Sequence, residues 1–419
     1  MRCSRVLDLA PVRSLHQHRS SGGLDALEVA RSTDPDVLVG LVTDAGLRGR
    51  GGAGFPTGVK WSFMPKVEGQ EAYLCCNADE SEPGTFKDRE LLRWEPHQLI
   101  EGCLIACYAI RAKHAYIYCR GEFFEATQVL AKAVEEAYAA GLAGKDILGS
   151  GVDIDVTVHV GAGAYICGEE TGLMNSLEGR RGQPRVKPPF PAAVGAFGKP
   201  TTINNVETLC AVPHIVTNGA DWYRQWGSEK SPGTKLFCVS GHVRKPGNYE
   251  LPLGFPMMEL IEDVCGGMRD GNKLKAVIPG GSSVPLLDAE DCRACSLDYE
   301  GVSAAGSMLG CASVIVMDET ADIVKQVRRM AAFYAHESCG QCTPCREGSS
   351  WVTKILRRIE DGRGTEQDLD MLVELTDQMT GTTICVLSDS VAAPVQSSIK
   401  KFREEYLALI RRGERVGAA

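Results

Sequence analysis

No apolar run in the chain is long enough to cross a bilayer; the richest, around residues 103–110, follows Glu101 and precedes Arg111. The basic excess of a nucleic-acid binder is missing too. Lys and Arg number 45 against 54 Asp and Glu, a formal net charge of −9. The first residues show no secretory apolar core. Internal repeats and low-complexity segments are also missing. These absences predict no nucleic-acid partner, and any membrane process is expected to be served from the soluble side.

The N-terminus carries Arg2, Arg5, Arg13 and Arg19 with one acid, Asp8. A transit peptide has that balance, but no amphipathic period accompanies it, so a frayed basic arm is expected. Seventeen cysteines without a secretory leader point to a reducing compartment, where thiols serve as ligands or as small buried hydrophobes.

The 419 residues are 44% hydrophobic and 24% charged, an ordinary globular balance. Such a length suggests about two to four domains. Apolar positions Val37, Leu38, Leu41, Val42 and Ala45 have helical spacing, and a glycine run follows them. Strand-like segments at 72–76, 115–119 and 154–160 alternate with amphipathic helices at 97–111 and 122–140. That alternation predicts a parallel sheet with helices on its faces. The Pro/Gly/Lys-rich stretch 179–200 reads as irregular. Residues 234–318 read as a small α+β unit, and helical periods from Ala321 onward as a small bundle.

Cys339, Cys342 and Cys345 stand in a C-x2-C-x2-C run. Thiolates at this spacing can each bind a different iron of one [4Fe–4S] cubane, whose fourth iron needs a ligand from elsewhere. Cys385 is the only cysteine downstream of the run. A zinc site usually takes two separated cysteine pairs. Zinc and unliganded buried thiols are the alternatives. Cys292 and Cys295 form an isolated C-x2-C with no thioredoxin-like βαβ context, and they read as a surface coincidence. Cys75, Cys76, Cys103, Cys107, Cys119, Cys167, Cys210 and Cys238 read as core.

Gly49-x-Gly51-x-x-Gly54 matches the dinucleotide fingerprint only formally, because a helix and not a strand precedes it. Glycines still let backbone N–H groups approach a ligand closely, and Phe55, Trp61 and Phe63 lie nearby in sequence. Asp79, Glu80 and Glu82 follow a strand end, where ligands of open α/β sheets sit. The segment Gly161–Glu170 repeats the pattern of strand, glycine turn and carboxylates opening a helix. Two such loops in one domain favour a nucleotide-type cofactor over a solvated acidic face.

Segments 48–58, 77–89, 161–170, 188–191, 201–208 and 337–348 occur in this order in one family. From about residue 36 to 405 the chain resembles the FMN- and NADH-binding flavoprotein subunit of respiratory complex I, the NADH–quinone oxidoreductase. The resemblance implies FMN held by Gly49, Arg50, Gly51, Gly52, Ala53 and Gly54, with Gly58 and Lys60 beside them. It adds Asn77, Asp79, Glu80, Tyr165, Gly168, Glu169, Glu170, Asn204, Asn205 and Thr208. It implies NADH between Phe55, Phe63 and Phe190, with Glu82, Glu170 and Lys187 in the same pocket. It also implies the cubane on Cys339, Cys342, Cys345 and Cys385. Gly172, Met174 and the pair Ser349-Ser350 depart from the usual residues at positions that touch no proposed ligand.

The implied fold is an α/β flavin domain with a Rossmann-like parallel sheet, a small α+β ubiquitin-like SLBB domain and a C-terminal helical bundle. The expected divisions are 1–57 for an N-terminal helical arm and glycine loop, 58–225 for FMN and NADH, 226–320 for SLBB and 321–419 for the cluster bundle. The implied activity is NADH dehydrogenase: hydride passes from NADH to FMN, then single electrons pass to the cluster and through partner subunits to quinone. No side chain is expected to serve as general acid or base. Implied partners are a thioredoxin-like [2Fe–2S] subunit and the large iron–sulfur subunit of the peripheral arm. The implied location is the cytoplasmic face of the inner membrane, or the matrix face in a eukaryote.

One alternative is the diaphorase subunit of an NAD-linked hydrogenase or formate dehydrogenase. Those often carry an extra thioredoxin-like domain, for which the sequence offers no length before Gly49. The other is a non-enzymatic zinc- and SLBB-containing binding protein.

Overall fold

Four parallel strands organise the first half of the chain. The computed structural model describes residues 12–67 and 69–417. Arg2, Cys3, Arg5 and Asp8 lie outside the described residues. Contacts divide the chain into two units. The first comprises residues up to Ser81, Thr85–Cys238 and Asn248–Phe255; the second comprises Glu82–Gly84, Val239–Gly247 and everything from Pro256.

The first unit opens with helices α1 (Leu15–Ser20), α2 (Asp25–Arg31), α3 (Pro35–Asp44) and α4 (Thr57–Ser62). A frayed arm was the expectation for the basic N-terminus, yet Arg19 lies within a capped helix. Ser14 and Gln17 form a capping box, Leu15 N donates to Glu136 Oε2 at 2.8 Å, and Arg13 Nε donates to Arg93 O at 2.9 Å. Local capping and anchors more than 70 residues away in sequence, invisible to a periodicity search, order this segment.

The chain then alternates: β1 (Tyr73–Ala78), α5 (Asp88–Trp94), α6 (Pro96–Ala109), β2 (His114–Cys119), α7 (Phe124–Ala139), β3 (Asp155–Val160), α8 (Glu170–Leu177), β4 (Thr201–Asn205), α9 (Val206–Asn218) and α10 (Ala220–Arg224). The sheet order is β3-β2-β1-β4, with β1 paired in parallel to both β2 and β4. Being covered on both faces explains why β1 reads Tyr-Leu-Cys-Cys-Asn-Ala and not as a polar–apolar alternation. Almost every residue of α6 is buried, so this helix belongs inside the unit. The eight cysteines expected in the core are all buried. Strand β4 was not foreseen from the sequence, since Thr-Thr-Ile-Asn-Asn carries no strand period.

Strands β5 (Thr234–Gly241) and β6 (Gly247–Pro252) each have residues in both units. After β7 (Phe255–Pro256) come α11 (Met257–Glu259), which continues as a π-helical turn to Val264, then β8 (Leu274–Ile278), β9 (Leu287–Asp288), α12 (Ala289–Arg293), β10 (Ser296–Leu297), α13 (Tyr299–Ala304) and β11 (Ser313–Asp318). Within the second unit β11 and β9 flank β8 antiparallel. Cys292 and Cys295 are buried here, which corrects their reading as a surface coincidence. Cys292 sits on the inward face of α12, and that side chain packs as a small hydrophobe.

The same unit ends in four helices: α14 (Ile323–Glu337), α15 (Thr343–Glu360), α16 (Glu366–Met379) and α17 (Leu387–Gly417). On α15 the buried positions Cys345, Gly348, Ser349, Val352, Ile355, Leu356 and Ile359 form one stripe at helical spacing. A Cβ at Gly348 would stand 2.6 Å from Met379 Sδ, so the glycine lets α15 and α16 approach.

Candidate functional site

The sheet reverses direction between β1 and β4. From β1 the order runs outward through β2 to β3, and then β4 returns to the other side of β1. Such a reversal opens a crevice at the carboxyl ends of the strands, where open α/β sheets bind ligands. Asn77 and Asn205 are direct partners across this pair, as are Cys76 and Asn204. The switch point is therefore lined by amides. Asn77 Nδ2 donates to Gly168 O at 2.8 Å, tying the end of β1 to the turn after β3. Asp79 N donates back to Asn77 Oδ1 at 3.1 Å. Tyr165 opens that turn, a 3-10 helix over Tyr165–Gly168.

The glycine loop reaches the same crevice. Its ends are closed by Gly49 N to Phe55 O at 2.8 Å and Thr57 N to Leu47 O at 2.7 Å. Gly52 and Gly54 have φ of +133° and +64°, which favour glycine. A Cβ on Gly51 would stand 2.9 Å from Asn205 Cβ, so the loop lies directly against the end of β4. Arg50 N donates to Thr208 Oγ1 at 2.8 Å and pins the loop to α9. The Arg50 side chain turns inward, fully buried, and donates to Thr234 O, Arg48 O, Tyr223 Oη and Pro232 O. Arg50 thus brings its backbone, not its guanidinium, to the loop. Gly58 has a packing reason of its own. A Cβ there would meet Thr43 N at 2.5 Å, so the missing side chain lets α4 lie on α3.

Carboxylates divide by task. Glu169 caps α8, its Oε2 accepting from Thr171 N and Gly172 N, each at 2.8 Å. Glu170 lies between two lysines, with Lys60 Nζ at 3.2 Å and Lys187 Nζ at 2.5 Å. Burial raises the Glu170 carboxyl, but the two ammonium groups outweigh it and hold the group below its usual range. Glu80 is buried and accepts from the N–H groups of Lys87, Asp88 and Arg89 at 2.8, 2.8 and 3.1 Å. Its side chain satisfies the first turn of α5, a use that no sequence spacing announced. Burial and the Asp88 charge push the Glu80 carboxyl up to about 7.

Asn204 Oδ1 accepts from Trp61 Nε1 at 2.8 Å in the interior. Three aromatic rings stay exposed although they are large and apolar: Phe55 at 46%, Phe63 at 58% and Phe190 at 60%. Phe55 and Phe63 have ring centroids 6.2 Å apart. Phe55, whose carbonyl closes the glycine loop, and its neighbour Phe63 offer exposed rings that suit a planar ligand that stacks.

These residues fit a flavin nucleotide: glycine backbone for close approach, amides at a switch point and ammonium groups for oxygen-rich portions. Beneath them sequence reasoning missed a buried charge network. Lys87 Nζ meets Asp88 Oδ1 at 2.7 Å and Glu207 Oε2 at 2.8 Å; Lys235 Nζ meets the same Glu207 oxygen at 2.5 Å. The adjacent Lys87 and Asp88 at the start of α5 were the one available signal.

Glu82 belongs to the second unit. Its Oε1 accepts from Ser283 N at 2.8 Å and Tyr334 Oη at 3.2 Å. The cysteines belong to that unit as well. Cys342 is the N-cap of α15, and Cys345 lies buried in its first turn. Ile384 N donates to Cys342 Sγ at 3.4 Å, which brings the segment of Cys385 to the triplet. Ser338 Oγ lies 3.2 Å from Cys345 Sγ. Among the described residues no three His, Cys, Asp or Glu side chains converge as ligands of a single ion. A cubane instead spreads its thiolates over separate irons, and an all-thiol donor set suits it.

Comparison with known proteins matches three stretches to family models: the Nuo51 FMN-binding domain over 42–214, the SLBB domain over 235–316 and the NADH-ubiquinone oxidoreductase-F iron-sulfur binding region over 325–409. The NADH-quinone oxidoreductase-F of Mycobacterium tuberculosis (strain ATCC 25618 / H37Rv) is 55% identical over 401 residues, covering 95% of this chain and 90% of the relative. That of Streptomyces coelicolor is 55% identical over 393 residues, covering 94% and 87%. The crystal structure of an NAD+-reducing [NiFe]-hydrogenase in the H2-reduced state matches with a TM-score of 0.85 and 40% identity. That match covers 96% of this chain, which spans 65% of the hydrogenase chain's length.

Proposed function

The chain belongs to the NADH-quinone oxidoreductase-F family, and from that premise we propose that it is the NADH-oxidising flavoprotein subunit of such a complex. The observation that carries the reading is the amide-lined switch point between β1 and β4 with the glycine loop laid against it. Bound FMN supplies the conversion between two-electron hydride oxidation and one-electron transfer, which a cubane alone does not offer.

The chain's own residues bind and orient. The Gly49–Gly54 backbone, Lys60, Asn77, Asp79, the Tyr165–Glu170 turn, Asn204, Asn205 and Thr208 hold FMN. Phe55, Phe63 and Phe190 offer apolar faces to the nicotinamide. Glu170, held by Lys60 and Lys187, orients NADH and disfavours a 2′-phosphate. Cys339, Cys342, Cys345 and Cys385 hold the one-electron acceptor. The glycine loop at the end of the 1–57 arm and the α/β region 58–225 take FMN and NADH, the SLBB region spans 226–320, and the helical bundle 321–419 takes the cluster. Further subunits carry electrons to quinone, a thioredoxin-like [2Fe–2S] subunit and a large iron–sulfur subunit among them. Attachment at the cytoplasmic face of the membrane runs through those partners; among the described residues no helix is long and apolar enough to cross a membrane.

Steady-state assay of the purified complex tests this. NADH reduces a one-electron acceptor, removal of FMN abolishes the reaction, and NADPH is a poor substitute. Equal use of NADPH, or full activity without flavin, contradicts the assignment.

A further inference from the structure

The buried charges beneath the switch point form an ordered chain that ends on one amide. Lys235 binds Glu207, Glu207 binds Lys87, Lys87 binds Asp88, and Asp88 Oδ2 accepts from Asn205 Nδ2 at 2.7 Å. Lys87, Asp88, Glu207 and Lys235 are all buried. Buried ion networks contribute little net stability, because desolvation offsets attraction. Their geometry is nevertheless fixed, and here it sets the polarity of a side chain.

Asn205 Oδ1 accepts from Glu207 N at 3.0 Å and faces Lys87 Nζ at 3.4 Å. A flipped amide would turn its oxygen toward the Asp88 carboxylate and its NH2 toward an ammonium group. One Nδ2 hydrogen is taken by Asp88; the second is left as a donor. The glycine loop packs against this side chain at Gly51.

We propose that Asp88 is a positioning residue, which fixes the Asn205 carboxamide so that its second Nδ2–H meets a phosphate or ribityl oxygen of the flavin nucleotide. Lys87, Glu207 and Lys235 hold Asp88 in place. The proposal rests on the reading that Asn205 touches FMN.

The test titrates FMN into the deflavinated complex carrying Asp88→Asn, Asn205→Ala, both together, or the exchange Asp88→Asn with Asn205→Asp. Asp88→Asn weakens FMN binding about tenfold, or about 1.4 kcal/mol. Asn205→Ala weakens it at least as much, and the double variant is no worse than Asn205→Ala alone, since both act through one contact. Added FMN restores NADH oxidation in Asp88→Asn, which a collapsed fold would not permit. The exchange keeps net charge, helix cap and internal hydrogen bond but presents an acceptor to the ligand. It therefore folds and binds FMN at least tenfold more weakly.

If Asn205→Ala binds FMN like wild type, the reading of Asn205 as a ligand fails. If Asn205→Ala is weakened while folded Asp88→Asn is not, or if their effects add, positioning by Asp88 fails and the ligand reading stands. Should Asp88→Asn not fold, the exchange decides. Wild-type FMN affinity in the exchange, or its failure to fold, overturns the proposal.

Discussion

Replacing Glu207 by Gln removes the anion that two buried ammonium groups share. In the native protein its Oε2 lies 2.8 Å from Lys87 Nζ and 2.5 Å from Lys235 Nζ, and its Oε1 accepts from Leu236 N at 2.8 Å. Gln preserves the shape and the last bond. Lys87 keeps Asp88, but Lys235 is left with Leu236 O at 3.3 Å. Breaking a buried pair from one side costs about 3–5 kcal/mol. The pH linkage gives a similar figure. Burial raises the Glu207 carboxyl, but Lys235 and Lys87 overcome this and bring it from 4.5 to about 2. At about 1.4 kcal/mol per pH unit, that difference corresponds to about 3 kcal/mol. Because the folded pKa is depressed, this stability is present above pH 4.5 and is lost as pH falls toward 2. Denaturant unfolding followed by circular dichroism measures both effects. Glu207→Gln is less stable by about 3 kcal/mol at pH 7 and has a flatter acid limb. A variant within about 0.5 kcal/mol of wild type, or one with an unchanged acid limb, refutes the reasoning.

Three further outcomes are expected. Glu170→Gln removes the carboxylate that repels a 2′-phosphate and leaves Lys187 with Glu169 alone, so the NADPH to NADH ratio of kcat/KM rises at least about tenfold in steady-state assays; an unchanged ratio removes Glu170 from that role. Gly58→Ala places a Cβ 2.5 Å from Thr43 N, backbone that cannot move aside, and lowers stability by about 1–3 kcal/mol in thermal unfolding. Cys292 and Cys295 resist alkylation in the folded protein, because burial raises both thiols, Cys295 to about 11, and keeps reagent out; rapid labelling would show them to be a reactive pair.

Much of the site was legible because its chemistry is local in sequence. The triplet Cys339, Cys342 and Cys345 declares itself by spacing, and the glycine loop and carboxylate turns follow predicted helix and strand ends. Uses that depend on tertiary partners stayed hidden. Arg50 sits in a loop motif, yet its guanidinium is held by carbonyls around 232–234, more than 180 residues away. Glu80 and Glu82 look like one acidic run, but Glu80 caps α5 and Glu82 is held by Ser283 and Tyr334. Strand β4 is polar in sequence because its end lines the crevice, so periodicity passed over the strand that creates the switch point. The burial of Cys292 and Cys295 was likewise unreadable, since a short C-x2-C carries no face.

The most direct test of the central claim is a visible spectrum with metal analysis of the anaerobically purified protein. The account predicts flavin absorption, a broad iron–sulfur shoulder bleached by NADH, and about four irons per chain for one cubane. Stoichiometric zinc, with no flavin and no response to NADH, would contradict it.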